Sequence, residues 1–419
     1  MKTYLCIDLK TFYASVECAE RNLDPFKTNL AVCDLSRGNG AICLAISPSL
    51  KALGIRNRCR AFEIPKNVEY IAAKPRMALY IKYSADVYGI YLRYISKDDI
   101  YVYSIDEAFL DVTSYLKLYK MNAYELANKI MDDILKELHI TATCGIGTNL
   151  YLAKVALDIT AKHVNSNIAY LDEELYQKTL WHHLPLMDFW RIGHGTEKRL
   201  QKLGIFDMEG ITKADPVILK KKFGVDYEIL LDHAYGVEPT TISDIKKYSS
   251  RGKSLSQGQI LFEDYSFDDA RLVVKEMVDI LSLELVDKNL VTNNVGLMIR
   301  YSKDEHKPTG GARQINERTN VYSVLVKNVL DIYDKTTSKY NLIRGINIGF
   351  NNVLDSSFEE YNLFTDEKKL KEEQKLEETI NNLKKKFGKN SVLRGMNFEE
   401  KATTRKRNLL IGGHNSGEE

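Results

Sequence analysis

Val102-Tyr103-Ser104-Ile105-Asp106-Glu107-Ala108-Phe109-Leu110-Asp111-Val112 places two adjacent carboxylates between two short strand-like runs. Val102, Ser104 and Ile105 lead in, and Ala108, Phe109, Leu110 and Val112 lead out. Successive strand side chains point to opposite faces, so Asp106 and Glu107 can converge only where the strand bends or ends. Two readings are open for such a pair. One is a hairpin turn with solvated acids. The other is a site where a hard divalent cation offsets their repulsion.

A second acidic strand end bears on that choice. Thr3-Tyr4-Leu5-Cys6-Ile7 is a compact apolar strand that ends at Asp8 and Leu9. Lys10-Thr11-Phe12-Tyr13-Ala14-Ser15-Val16-Glu17 then turns into a helix, with Thr11 at the N-cap. Asp8, Asp106 and Glu107 together suffice to hold two Mg2+ ions, and such a pair can align a triphosphate with an attacking hydroxyl.

Composition narrows the class. The chain has 419 residues, 44% of them hydrophobic, with 25 tyrosines, which fits a folded protein of several domains. No apolar run approaches the about 20 residues needed to span a bilayer, so no membrane partner is expected. The N-terminus enters a strand at once, predicting no signal peptide. All six cysteines precede residue 145 without a Cys-x-x-Cys pair, which predicts reduced thiols and a cytoplasmic location. A net charge of +2 does not advertise nucleic-acid binding, so any basic footprint must be local. Arg37, Lys51, Arg56, Arg58, Arg60, Lys66, Lys74 and Arg76 supply one, against Asp34, Glu63 and Glu69.

Asp8-Leu9-Lys10-Thr11-Phe12-Tyr13-Ala14-Ser15-Val16-Glu17 and Ser104-Ile105-Asp106-Glu107-Ala108-Phe109-Leu110-Asp111 resemble the two palm motifs of Y-family, translesion DNA polymerases. Gly145-Ile146-Gly147-Thr148-Asn149-Leu150-Tyr151-Leu152-Ala153-Lys154, followed by Lys162, resembles the third. Lys51-Ala52-Leu53-Gly54-Ile55 is similar to the finger motif of the bacterial SOS-mutagenesis (UmuC-like) branch. The resemblance covers roughly residues 1–365.

It implies an α+β right-hand polymerase. The ferredoxin-like palm would occupy 1–25 and 76–172, where strand, helix, two strands, helix and strand follow one another, with small fingers inserted at 26–75. A helical thumb at 173–240 contains Ile192-Gly193-His194-Gly195, which resembles the turn of a helix-hairpin-helix that offers backbone amides to phosphate. An α/β little finger at 243–355 would lie along duplex DNA, with Arg251, Lys253, Ser254, Arg313 and Arg318 as phosphate contacts.

In the tail, 356–419, Glu360-Tyr361-Asn362-Leu363-Phe364 resembles a sliding-clamp-binding peptide, with Glu360 where the family's leading Gln stands. Leu376, Ile380, Leu383 and Phe387 recur at helical spacing on a Lys/Glu-rich background, a pattern that serves either partner binding or packing on the chain's own domain. The Gly-rich end, Gly412–Gly417, reads as disordered.

The resemblance also implies site roles. Asp8, Asp106, Glu107 and the Leu9 carbonyl would ligate two Mg2+; Phe12 and Tyr13 would face the nucleotide sugar, Tyr13 as the steric gate against a 2′-hydroxyl; Lys51 and Lys162 would hold the triphosphate. Many relatives carry a tyrosine three residues before Lys51. Here Pro48 stands there between Ser47 and Ser49, and one of these serines is expected to take over the contact. The implied partners are primer-template DNA, deoxynucleoside triphosphates, a sliding clamp and accessory subunits. The implied function is low-fidelity primer extension past damaged bases in DNA repair and the SOS response. A nucleotidyl cyclase would share the paired acids but need no helix-hairpin-helix. A catalytically inactive DNA-binding accessory protein recruited to the clamp would have lost an acid, and all three are present.

Overall fold

The computed structural model describes residues 2–249, 252–302, 306–360 and 366–417. Arg251, Leu363 and Phe364 lie outside them, and with them the sequence expectations for these residues. The chain divides into two compact units, Met1–Ser249 with Asn415–Glu419, and Ser250–His414.

In chain order the first unit contains β1 (Tyr4–Leu9), α1 (Phe12–Ala19), β2 (Leu30–Val32), β3 (Ala45–Ile46), α2 (Pro48–Ala52), β4 (Ile71–Ala73) and α3 (Met77–Leu92). There follow β5 (Ile100–Val102), β6 (Glu107–Asp111), α4 (Thr113–Tyr119), α5 (Ala123–Leu138), β7 (Ala142–Gly147), α6 (Leu150–Val155) and β8 (Ile168–Leu171). A helical region closes it: α7 (Glu173–Leu180), α8 (His194–Gln201), α9 (Met208–Lys213), α10 (Pro216–Phe223), α11 (Asp226–Tyr235) and α12 (Ile242–Lys247).

Its main sheet has the order β5-β6-β1-β7-β8, with β1 antiparallel to both neighbours and β7 parallel to β8. β1 is apolar on both faces because both are covered. Tyr4 and Cys6 join a core with α6 and the helical region, while Leu5 and Ile7, by alternation, fill the other side. α5 shows why these segments become helices: Asn122 and Glu125 form a capping box, and Leu126, Ile130 and Ile134 recur every four residues on its buried face. Two glycines in β7 allow α6 and the turn after it to press onto the sheet. A Cβ on Gly145 would lie 2.0 Å from the Ala153 carbonyl oxygen, and one on Gly147 2.2 Å from the Ala153 nitrogen.

Residues 26–75 form a small lobe with a three-stranded sheet, β3-β2-β4, over its own core of Ala31, Cys33, Cys43, Ile46, Leu50, Cys59, Ala61 and Ile64. The end expected to be disordered is placed instead: the Ser416 carbonyl accepts from Ala78 N–H at 2.9 Å.

The second unit contains β9 (Ser254–Tyr265), α13 (Phe267–Asp287), β10 (Leu290–Tyr301), β11 (Thr309–Thr319), α14 (Tyr322–Thr336), β12 (Ile343–Asn351), β13 (Leu354–Asp355), α15 (Glu367–Phe387) and α16 (Thr404–Asn408). Its antiparallel sheet runs β11-β10-β12-β9. Leu261, Val295, Leu297, Ile299, Ile346, Ile348 and Phe350 pack with α13 and α14. The opposite face presents Ser254, Ser256, Ile260, Met298, Arg300 and Arg344. Gly310 and Gly311 lie within β11, where they pair with Met298 and Leu297.

α15 packs on α13, but not through the stripe its spacing suggests. Leu376, Leu383 and Phe387 are exposed, while Glu377 is buried and Asn381 donates to the Leu283 carbonyl at 2.8 Å. α13 spends its apolar side on the sheet and α14, and meets α15 through polar links: Asp287 pairs with Lys385, and Arg394, beyond α15, bridges Asp279 of α13 and Glu377 of α15. Glu276 accepts from Asn397, Thr403 and Thr404, also beyond α15. No described helix is long and apolar enough to cross a membrane.

Candidate functional site

The hairpin and acid-cluster readings of the opening stretch describe the same object. Tyr103 and Ser104 N–H both donate to the Glu107 carbonyl, turning β5 into β6. β6 then pairs with β1 in a register that sets Asp8 directly opposite Glu107. Leu9 N–H donates to the Asp106 carbonyl at 2.9 Å, which draws the hairpin against the end of β1. Alternation puts Asp8 on the Tyr4–Cys6 side of the sheet, so its carboxylate emerges beside Glu107 on the face that carries α6. Asp106 is oriented by Ser104, whose hydroxyl donates to Oδ1 at 2.6 Å. A cavity of about 270 Å³ opens beside Ser104, Asp106 and Glu107, with Ile81, Tyr88 and Tyr91 of α3 as its other wall.

Two lysines that follow β7 balance this charge. Lys154 Nζ lies 2.8 Å from Glu107 Oε2 and 2.8 Å from Asp158 Oδ2. Lys162 Nζ lies 2.8 Å from Asp158 Oδ1 and 3.4 Å from Asp8 Oδ2. The chain between them makes a π-helical turn, Ala156–Thr160, which sets Asp158 between both ammonium groups. Burial pushes the Asp8 carboxyl up to about 6; Lys162 opposes the rise, while Asp106 and Glu107 add to it. Burial works against the charge on Lys162, yet Asp8 and Asp158 outweigh it and hold its pKa above the usual value. Neither Lys154 as a carboxylate partner nor Asp158 was found from sequence. The spacing of four residues from Lys154 to Asp158 and from Asp158 to Lys162 was the available signal.

Among the described residues no three His, Cys, Asp or Glu side chains form a ready cage for a metal ion. Glu107 is engaged by Lys154 and by the Cys6 thiol, whose Sγ lies 3.2 Å from Oε1. Asp8 and Asp106 with the Leu9 carbonyl remain an all-oxygen donor set, the kind a hard divalent cation takes. A cation would offset the charge of Asp106 and Glu107, which adds to the rise that burial gives the Asp8 carboxyl, so the residue types fit it.

The aromatic side of the site is built on α1. Thr11 stands at the N-cap position in a left-handed conformation (φ 47°) but makes no capping bond; its hydroxyl pairs with Ser15 instead. Tyr13 stacks on Tyr80 with ring centroids 4.6 Å apart, and Phe12 meets both rings. Tyr80 is fixed in turn, its hydroxyl donating to Glu17 Oε1 at 2.7 Å. Glu17 is fully buried and also takes two bonds from Arg76 and one from Arg21. Those bonds outweigh burial and hold its carboxyl below the usual value.

The expected serine contacts are placed otherwise. Ser47 is fully buried, and its Oγ accepts from Leu30 N–H at 3.1 Å and Leu50 N–H at 3.3 Å, so it caps α2 and does not face a nucleotide. Ser49 donates to Asn29 Oδ1 at 2.7 Å, and Pro48 is the first residue of α2. Lys51 lies on α2, close enough to Asp8 to feel its charge.

Ile192 is buried below Gly193, which caps α8, and Gly193 and Gly195 are open to solvent. In the second unit Lys253 and Ser254 are exposed at the start of β9. Arg313 is paired with Asp331 of α14, 2.7 Å away, and Arg318 donates to the Asn352 carbonyl at 2.7 Å. The exposed sheet face instead offers Arg300, which sequence reasoning missed, and Arg344, which is held 3.4 Å from Asp264.

Family models place residues 7–158 in the impB/mucB/samB family and residues 252–363 in its C-terminal domain. A putative UV-damage repair protein UvrX from Bacillus subtilis (strain 168) is 31% identical, over 99% of this chain and 98% of its own length. A DNA polymerase IV 2 of the same organism is 28% identical over 99% of this chain and 98% of its own. A DNA polymerase IV of Lactococcus lactis subsp. lactis (strain IL1403) is 31% identical over 71% of this chain and 79% of its own. Among solved structures, a Y-family DNA polymerase chimera superposes with a TM-score of 0.62 at 20% identity, covering 84% of this chain and 99% of its own; it shares the fold.

Proposed function

The chain belongs to the impB/mucB/samB family of Y-family DNA polymerases, and from that premise we propose that it extends primers past damaged template bases by two-metal-ion nucleotidyl transfer. The observation that carries the proposal is the register that sets Asp8 opposite Glu107, with Asp106 tied to the end of the same strand.

Asp8, Asp106, Glu107 and the Leu9 carbonyl would hold two Mg2+. Such ions, when bound, lower the pKa of the primer 3′-hydroxyl and neutralise charge on the triphosphate and departing pyrophosphate. The protein's own side chains do the rest. Lys162 and Lys51 receive the triphosphate, and Arg56 and Arg58 on the same lobe add charge where the usual tyrosine is replaced by Pro48. Tyr13, braced by Tyr80, presents a flat wall to the sugar and leaves no room for a 2′-hydroxyl. The small lobe at 26–75 makes few contacts with a nascent pair, so discrimination rests on pairing and stacking, and damaged bases are tolerated.

Residues 1–25 and 76–172 serve as palm, 26–75 as fingers, 173–240 as thumb and 243–355 as little finger. Phosphates rest on Gly193 and Gly195 and on the exposed sheet face. Clamp recruitment through Leu363 and Phe364, accessory subunits and a place in the SOS response are carried by the sequence resemblance. The test is primer extension across an abasic site, with and without Mg2+ and with added clamp. A protein that stops before the abasic site under every condition is not a translesion polymerase.

A further inference from the structure

The lobe at 26–75 holds a group of nucleophiles that the proposed chemistry does not use. Cys33, Cys43 and Cys59 are three of the six cysteines, and all lie in the lobe's small core. Cys43 lies close enough to both of the others for the thiols to shift one another's titration. Cys33 and Cys43 act most strongly on each other, which holds the Cys33 thiol below its ordinary value and pushes Cys43 above.

The backbone adds a second observation. Ile42 and Arg60 form an antiparallel bridge, and Cys43 N–H donates to the Cys59 carbonyl at 2.8 Å, so Cys43 and Cys59 stand opposite each other. Residues opposed in this way have Cα atoms about 5.5 Å apart, inside the roughly 4.4–6.8 Å that a disulfide spans.

We propose that Cys43 and Cys59 form a reversible disulfide on exposure to a peroxide, and that this bond regulates nucleotide binding by the fingers. Cys59 is the most exposed of the three, at 5% against 1% for Cys33 and 0% for Cys43, so it meets the oxidant. Its sulfur attacks one peroxide oxygen, breaking the O–O bond and giving a sulfenic acid and one water. Cys43 sulfur then attacks the sulfenic sulfur as Cys33, in its thiolate form, takes the Cys43 proton. Hydroxide leaves, collects that proton from Cys33 and departs as the second water. Two thiols have given up two electrons, one hydrogen peroxide has become two waters, and Cys33 ends unchanged. Dithiol reductants reverse the bond by exchange. The disulfide closes the loop that carries Lys51, Arg56 and Arg58. This regulatory half rests on the polymerase reading.

The test treats the reduced full chain with hydrogen peroxide, alkylates it in denaturant with iodoacetamide and weighs it. The expected product carries four alkylated cysteines in place of six, with a cross-linked peptide joining Cys43 to Cys59. Dithiothreitol should restore all six. Cys43→Ala and Cys59→Ala should each leave every remaining thiol free, and Cys33→Ala should slow the bond without preventing it. Six alkylated cysteines in the treated wild type, or a cross-link through Cys33, Cys6, Cys18 or Cys144, would overturn the assignment. The KM for incoming nucleotide should rise roughly tenfold in the oxidised protein and return with dithiothreitol. An unchanged KM in fully cross-linked protein would overturn the regulatory half. Failure of the reduced protein to extend any primer would strike the polymerase reading and leave the cross-link result standing.

Discussion

Asp158 ties Lys154 to Lys162, each of its carboxylate oxygens lying 2.8 Å from one ammonium. Lys154 in turn holds Glu107, and Lys162 reaches Asp8. Asp158 therefore acts on the acids through the lysines, as a positioning residue. Asp158→Ala should lower kcat for single-nucleotide insertion on the order of 10- to 100-fold, because both lysines lose their common anchor. Primer-template affinity should hold. Asp158→Asn keeps the shape without the charge and should fall between; insertion kinetics equal to wild type in both variants would remove the role.

Asp106 tests the metal reading more directly. Ser104 orients its carboxylate, and no lysine is bonded to it among the described contacts. Asp106→Ala should abolish Mg2+-dependent extension while fluorescence anisotropy still shows primer-template binding. Extension at wild-type rates by this variant would mean that the acids are the turn residues of a hairpin and nothing more.

Sugar selection should depend on a pair of rings. Tyr13→Ala is expected to cut discrimination against ribonucleotides by at least about tenfold, measured as the ratio of kcat/KM for deoxy- and ribonucleotides. Tyr80→Phe keeps the stack at 4.6 Å but loses the bond to Glu17, so its effect should be smaller than that of Tyr80→Ala. Equal selectivity in all three variants and wild type would take the gate away from Tyr13.

The parts of this molecule legible in sequence are those where local pattern and tertiary role agree. Asp8, Asp106 and Glu107 sit at strand ends, and strand ends can be read from apolar runs. Ser47 misled because a serine before a proline and a leucine is also a helix cap, and its Oγ is used up by Leu30 and Leu50. Asp158 was missed because its four-residue spacing from Lys154 and Lys162 announces two ion pairs but not that the lysines also reach Glu107 and Asp8. The tail helix is a harder case. Leu376, Leu383 and Phe387 have the spacing of a buried face, yet the side of α15 that meets α13 carries Glu377, Asn381 and Lys385, which reach Arg394, the Leu283 carbonyl and Asp287. Hydropathy patterns find apolar interfaces and are blind to polar ones.

Gly145 is a stability test of the close approach between β7 and α6 with the turn after it. A methyl there would lie 2.0 Å from the Ala153 oxygen and 2.4 Å from the Leu157 nitrogen, both backbone atoms that cannot step aside. Gly145→Ala should cost about 3 kcal/mol or more, read from the urea midpoint. Gly193→Ala, where the added carbon meets nothing within 4 Å, is the control and should change the midpoint little.

Glu377 should make the second unit sensitive to pH. Its side chain is fully buried, its Oε2 has no hydrogen-bond partner, and Arg394 stands 3.5 Å from Oε1. Burial and the charge of Glu373 outweigh Arg394 and push the carboxyl up to about 8. The folded protein thus keeps a proton that the unfolded chain releases near its ordinary value of 4.5. Between those values the native state binds more protons than the unfolded one, so stability must fall as pH rises through this window and level off above it. Glu377→Gln carries the neutral form permanently. It should flatten that part of the stability curve and, at pH 9, exceed wild type by a few kcal/mol, on the order of 1.4 kcal/mol per unit of displacement. Hydrogen exchange of the α13 and α15 amides, corrected for intrinsic rates from pH 5 to 9, reads the effect where it arises. Parallel slopes in the two proteins would show that Glu377 is ionised in the fold and that Arg394 has prevailed over burial.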